Sequence, residues 1–131
     1  MRTGLIVSSF LLGAVLVVAV PAWSHHSNVA YDDSKRVTVT GAVKEWRWVN
    51  PHTWLYLEVN DEKAGKIEWR CEGRAPGVLL RAGWAKDSMK PGETVTVDMR
   101  PAKDGTYTGI MMRVTRADGT VLGNQPGPGN Q

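Results

Sequence analysis

The sequence predicts a mostly β protein, a small five-stranded OB-like Greek-key barrel with one short helix between strands three and four. Apolar residues alternate with polar ones in five separate segments, which is the period of a half-buried strand. The first segment changes its apolar phase midway, and a helix-like segment separates the third from the fourth, as in OB-folds. An open β-sandwich would show the same alternation and is the alternative.

The first segment, residues 36–48, begins with valines at alternate positions and then places Trp46 and Trp48 on the other phase. Gly41 lies shortly before the change. A phase change near a glycine predicts a bulge or a sharp coil in a long first strand. Asn50-Pro51-His52 then predicts a turn, because proline restricts the preceding residue and donates no hydrogen bond.

The remaining elements follow from the same alternation and from turn residues between them. A short helix is expected to begin at Pro76 and to stop at Gly83. A small hairpin after Asp118-Gly119 is expected to end the fold. The predicted strands two to five are 54–59, 66–72, 93–99 and 106–116, and the terminal hairpin uses 121–122.

The chain has 131 residues, enough for about one domain. Residues 1–24 are expected to be a signal peptide, with a basic start at Arg2, an uncharged run over 5–20 and a small–x–small site at Ala22-Trp23-Ser24. The uncharged run is shorter than the roughly 20 residues that cross a membrane. We therefore expect a periplasmic or secreted protein with no membrane span after cleavage.

Three further segments are expected after the leader. Residues 25–35 are polar and lack periodicity, which predicts an extended N-terminal arm. Residues 36–122 form the barrel domain. Residues 123–131 contain only Gly, Asn, Gln and Pro and are expected to be a disordered tail.

The register of the second and third strands can be predicted by placing their core residues on one face. One register pairs Leu57 with Ile67; the other, shifted by two residues, sets Glu58 against Glu68. Like charges directly opposite are unfavourable, so the first register is preferred. It places His52 opposite Glu72 on the face away from the core.

Composition excludes several kinds of site. The single cysteine, Cys71, cannot form an intramolecular disulfide or a four-cysteine metal cluster, and its position in the third strand predicts burial in the core. Met99 and one of the adjacent Met111 and Met112 are likewise expected in the core. A net charge of +3, together with export, argues against nucleic-acid binding.

The histidines are the strongest candidates for chemistry. Cleavage after Ser24 would create a chain that begins His25-His26, and an N-terminal amine with neutral imidazoles suits copper or zinc. His52 would supply a further ligand, with Glu72 either supporting it or acting as a fourth ligand. The alternative is that the histidine pair belongs to a mobile arm and that Glu72 merely satisfies His52 in its turn.

A second candidate is a surface for a small ligand or a protein partner. At least two of its aromatic side chains fall off the predicted core face, on the strands that OB-folds use for ligands. The alternative is that the arm, or a second copy of the chain in a homodimer, covers this face. The surface would comprise Trp48, Asn50, Trp54, Tyr56 and Arg70.

Several motifs together resemble a family of small exported bacterial proteins of unknown function, and they span nearly all of the chain after the leader. The resemblance implies a compact, mostly β, periplasmic protein and carries no established activity. It also implies that the two histidine motifs belong to one pattern. The motifs are His25-His26-Ser27, Val39-Thr40-Gly41-Ala42-Val43, Trp48-Val49-Asn50-Pro51-His52, Trp69, Glu72, Pro76, Leu80-Arg81-Ala82-Gly83-Trp84, Lys90-Pro91-Gly92-Glu93 and Ala117-Asp118-Gly119.

The sequence thus favours a periplasmic binding module that holds a transition metal, preferably copper, through His25, His26 and His52. A metal-free module that binds a partner or small ligand on the aromatic face is the first alternative. A small copper-dependent redox enzyme is the second, since nothing but the N-terminal histidine supports catalysis.

Overall fold

Residues 30–123 are described by the structure, a computed structural model, and they form six strands and one helix. The predicted leader, His25, His26 and residues 124–131 lie outside the described residues. The elements are β1 Val37–Arg47, β2 Trp54–Asp61, β3 Gly65–Glu72, α1 Pro76–Arg81, β4 Thr94–Pro101, β5 Thr108–Arg116 and β6 Val121–Gly123.

Five of the strands close into a barrel. The first half of β1 pairs with β4 and its second half pairs with β2, both antiparallel. β2 then pairs with β3, and β4 pairs with β5. A short parallel pairing of Arg70–Glu72 with Thr108–Ile110 joins β3 to β5 and closes the ring. The OB-like Greek-key barrel is confirmed, with α1 between β3 and β4 as predicted.

The predicted irregularity in β1 is a bulge between Val43 and Glu45. It lies where β1 passes from β4 to β2. Just before it, a Cβ atom on Gly41 would lie 2.5 Å from the carbonyl oxygen of Glu58 and 2.8 Å from Cγ2 of Val59. Only glycine therefore allows β1 to approach β2 this closely.

The register predicted for β2 and β3 is wrong by two residues. Leu57 lies opposite Trp69 rather than Ile67, and Leu55 lies opposite Cys71. The core face is the same in both registers, since a shift of two keeps every side chain on its side of the sheet. Face matching alone therefore could not separate the two registers.

The facing glutamates are tolerated because a third strand, β1, supplies a compensating charge. Glu58 does lie opposite Glu68. Each carboxylate has its own cation, however: Lys66 Nζ lies 2.9 Å from Glu58 Oε1, and Lys44 of β1 contacts Glu68. These exposed pairs offset the repulsion between the two glutamates.

Tryptophan and sulfur-containing residues fill much of the core. Burial raises the pKa of Cys71 to about 12, so this thiol stays protonated and acts as a small apolar side chain. The predictions for Cys71, Met99 and Met111 are confirmed. The core cluster comprises Val43, Leu55, Leu57, Trp69, Cys71, Leu79, Trp84, Met89, Val95, Val97, Met99, Met111 and Val114.

The predicted terminal hairpin is present, since β6 pairs antiparallel with β5 after the Asp118-Gly119 turn. Gly123, which was assigned to the tail, is the last residue of β6, and its carbonyl accepts a 2.6 Å hydrogen bond from Trp84 Nε1. Gly123 is part of the fold because the buried indole of Trp84, 39 residues earlier in the chain, needs a hydrogen-bond acceptor at this end of the barrel. Within residues 30–123, no helix has the length and apolar character needed to cross a membrane.

Candidate functional site

The described part of the N-terminal arm is attached to the end of β4. The backbone N–H of Asp32 donates to the carbonyl of Pro101 (2.8 Å), and that of Lys103 donates to the carbonyl of Ala30 (2.9 Å). Between these bonds, Tyr31 forms a bridge with Ala102 and is only 4% exposed. Residues 30–32 of the arm are therefore attached to the barrel in a strand-like conformation.

The sequence did not reveal that Tyr31 is a functional candidate. The arm as a whole is polar, and its pairing with β4 depends on residues far along the chain. One available signal was the single aromatic side chain in this polar segment, because burying an aromatic ring contributes much more free energy than burying its neighbours would.

Glu72 is the buried charged group around which the site is built. It is the last residue of β3 and is 5% exposed, although the alternation of β3 turns it away from the core face that Cys71 occupies. The Tyr31 hydroxyl donates to Oε2 of Glu72, and His52 Nδ1 contacts Oε1. Both carboxylate oxygens are thus engaged, which is what a buried carboxylate requires.

His52 reaches Glu72 diagonally across the hairpin. In the observed register Trp54, not His52, lies directly opposite Glu72. The predicted contact between His52 and Glu72 nevertheless exists, because the pairing continues beyond the strands: Gly73 N–H donates to the Thr53 carbonyl (2.8 Å). A Cβ atom on Gly73 would overlap Thr53 Oγ1, so glycine is needed for this continuation.

The contact with Glu72 determines which nitrogen of His52 is free. Burial and the hydrogen bond to Glu72 raise the pKa of Tyr31 far above its usual value, so Tyr31 remains a donor to Glu72. Since Glu72 is the acceptor in this network, Nδ1 of His52 carries the proton that it shares with Glu72. Nε2 is then the basic nitrogen, on a side chain that is 37% exposed.

This carboxylate–imidazole arrangement is the one that supports metal-ligating histidines in many proteins. Of the predicted metal residues, the structure brings together His52 and Glu72, whereas His25 and His26 lie outside the described residues. Residues 30–123 contain no group of three or more His, Cys, Asp or Glu side chains arranged to hold a metal ion.

The predicted aromatic surface divides into two parts. Tyr56 and Trp54 lie on the outer face of β2, with Arg70 opposite Tyr56. The guanidinium of Arg47 lies 4.8 Å from the ring centroid of Tyr56 and donates to its hydroxyl (3.2 Å). Glu45 in turn holds Arg47 through hydrogen bonds of 2.7 and 3.1 Å. One face of Tyr56 is thus already occupied by a cation from this chain.

Trp48 and Asn50 lie apart from that face. The Trp48 ring packs against Trp46 with centroids 5.7 Å apart, and Trp46 packs against Trp84 at the same distance. Trp46 and Trp48 both contact the core cluster, while Asn50 is exposed in the turn before His52. The structure therefore assigns Trp48 to packing with Trp46 and leaves Trp54, Tyr56 and Arg70 together.

Replacing Tyr31 with Phe is expected to lower the free energy of unfolding by about 1.5–3 kcal/mol, because a buried carboxylate loses a charge-assisted donor while the ring is kept. Urea denaturation followed by tryptophan fluorescence measures this change. The matched control is Tyr107→Phe, which alters a 45% exposed tyrosine whose ring packs on Trp69. Equal losses in the two variants would show that the Tyr31 hydroxyl contributes nothing specific.

Comparison with known proteins relates the chain to one protein family and assigns no activity to it. A family model described as a family of unknown function (DUF6152) matches residues 14–113. No curated protein and no solved structure is significantly similar to the chain.

Proposed function

The chain belongs to the DUF6152 family, whose function is unknown, and for this member we propose an exported module that binds a transition metal, with copper preferred. The ligands are His25, His26 and His52, the first two at the N-terminus that cleavage after Ser24 would create. The observation that supports this proposal best is the contact between His52 Nδ1 and buried Glu72, which leaves Nε2 as a basic, accessible nitrogen.

The position of the arm supports the participation of the two N-terminal histidines. Tyr31 is fixed to the same carboxylate that holds His52. His26 precedes Tyr31 by five residues, which span at most about 18 Å when extended. Tyr31 is linked to His52 through Glu72, and a chain of that length can bring the histidine pair to His52.

The chemistry of this donor set favours copper. An α-amino group and the imidazole of the same N-terminal residue form a chelate, and neutral imidazoles are good ligands for Cu²⁺ and Zn²⁺. Cu²⁺ is bound more tightly than Zn²⁺ by a given set of nitrogen ligands. Glu72 acts here as the group that orients His52, since both of its oxygens already accept hydrogen bonds.

Copper titration of the protein that begins at His25, with the mass of the chain confirmed, tests the proposal. We expect one equivalent of Cu²⁺ to bind, with an electron paramagnetic resonance spectrum typical of several nitrogen ligands. Acetylating the α-amino group of His25 removes that ligand and is the matched control, because it keeps all three histidines. If both the acetylated protein and a form that lacks His25-His26 bound Cu²⁺ as tightly as the unmodified protein, the N-terminal site would be refuted.

The geometry gives less support to the two alternatives, a ligand site on the aromatic face and a copper-dependent redox enzyme, than to the metal-binding module. A ligand stacked on the outer face of β2 would have to compete with Arg47 for the ring of Tyr56. A copper-dependent redox enzyme would need the same three histidines. The copper titration therefore comes before any assay of turnover.

A further inference from the structure

A groove is lined by the arm, by the loop that joins β4 to β5 and by the junction of β3 with β5, and we call it the arm–loop groove. Its volume is about 440 Å³, within the range of small-molecule sites. Arg70 of β3 and Thr108 of β5, which are paired across the parallel junction, line one side. The lining residues are Ala30, Tyr31, Arg70, Ala102, Lys103, Asp104, Thr106 and Thr108.

The cations of the groove are not neutralised by the part of the chain that the structure describes. Among residues 30–123, neither the Arg70 guanidinium nor the Lys103 ammonium has a carboxylate partner. Four other arginines of the barrel do form ion pairs with carboxylates: Arg47, Arg100, Arg113 and Arg116. The two cations outnumber the single carboxylate of the lining, Asp104, so the charged side chains of the groove sum to +1 (2 − 1), which favours an anion.

The acidic group in the lining is already engaged. Oδ1 of Asp104 accepts hydrogen bonds from the backbone N–H of Thr106 (3.0 Å) and from its hydroxyl (2.8 Å), and these bonds lower the pKa of Asp104. Glu72, which lies beyond Tyr31, accepts from Tyr31 and His52. Neither carboxylate therefore pairs with Arg70 or Lys103.

The backbone holds both cations in place. Arg70 lies in β3 with neighbours on both sides, and its N–H donates to the Tyr107 carbonyl (2.9 Å). The N–H of Lys103 donates to the carbonyl of Ala30 (2.9 Å), which ties the loop to the arm. The backbone of each cationic residue is thus held by hydrogen bonds to a neighbouring segment, while both side chains are exposed to solvent.

We propose that the arm–loop groove binds a small oxyanion, a carboxylate or a phosphate, with Arg70 and Lys103 as its cations. A guanidinium presents paired N–H donors that match the two oxygens of a carboxylate or phosphate, and the lysine adds a point charge. The Thr108 hydroxyl at the rim is a further donor. This site needs no metal, although Tyr31 both lines the groove and contacts Glu72, which holds His52.

Titration of the metal-free protein from His25 to Gln131 with succinate, and separately with inorganic phosphate, tests this proposal. Both titrations are followed by ¹H–¹⁵N NMR at constant ionic strength. We expect saturable shifts at Tyr31, Arg70 and Lys103. Arg70→Gln and Lys103→Gln should each weaken binding at least about fivefold, as expected for the loss of a charge-assisted hydrogen bond.

The matched control is Lys63→Gln, which removes one positive charge from the exposed turn between β2 and β3. It should leave the affinity unchanged. Tighter binding of succinate would assign the groove to carboxylates, and tighter binding of phosphate would assign it to phosphates. Linear shifts that sodium chloride reproduces, or equal weakening in Lys63→Gln and Arg70→Gln, would overturn the proposal.

Discussion

His52→Ala is expected to weaken Cu²⁺ binding by at least about 100-fold, because altering even a residue that supports a ligand costs about 10–100-fold and the proposal makes His52 a ligand. In free energy, this loss is at least about 2.7 kcal/mol. Competition with a copper chelator of known affinity measures it. Because His52→Ala also leaves Oε1 of the buried Glu72 without its partner, the fold should lose some stability, as in Tyr31→Phe, and urea denaturation is measured beside the affinity.

Two further variants separate ligation from folding. Glu72→Gln keeps the shape of the side chain but removes the charge that orients Nδ1 of His52, so we expect an intermediate loss of about tenfold. Asn50→Ala changes an exposed residue of the same turn and should bind copper as the unmodified protein does. If His52→Ala retained full affinity while removal of His25-His26 abolished it, the site would belong to the arm alone.

Trp84→Ala should produce the largest loss of stability, about 3–5 kcal/mol, which is typical of truncating a buried tryptophan to alanine. Trp84 is 1% exposed, packs on Trp46 with ring centroids 5.7 Å apart, and donates from Nε1 to the carbonyl of Gly123. Its removal would leave a cavity and would also detach β6 from its support. Urea denaturation at several protein concentrations measures the free energy of unfolding.

A second variant separates the contribution of the indole hydrogen bond to stability from that of ring packing. Trp84→Phe keeps an aromatic ring but removes the indole N–H, so it should be clearly less destabilising than the alanine variant. Leu80→Ala, at a 58% exposed position of α1, should change stability by less than about 0.5 kcal/mol. A similar loss in Trp84→Ala and Leu80→Ala would contradict the assignment of Trp84 to the core.

The strands were predictable from the sequence because period-two alternation is a local signal. The bulge in β1 was predictable for the same reason, since Trp46 and Trp48 change phase after Gly41. The register of β2 against β3 was not predictable, because it depends on a third strand. Lys44 of β1 supplies the charge that allows Glu58 and Glu68 to face each other.

The candidate site was predictable only in part. The sequence indicated that His52 and Glu72 meet, and they do, although through a diagonal contact rather than the direct pairing expected. Tyr31 and the arm–loop groove were not predicted. Both depend on the pairing of the arm with the end of β4, which no local pattern near Tyr31 encodes.

The contacts of Tyr31 also determine when the site can form. Its hydroxyl bonds to Glu72, 41 residues along the chain, and its backbone bridges to Ala102, which lies still further on. Contacts between such distant residues form late in folding, because a long loop must close first. A chain that has not yet made β4 therefore lacks the pairing that places Tyr31 against Glu72, the residue that holds His52. If the protein binds a metal as proposed, the full arrangement around His52 would require a completed fold.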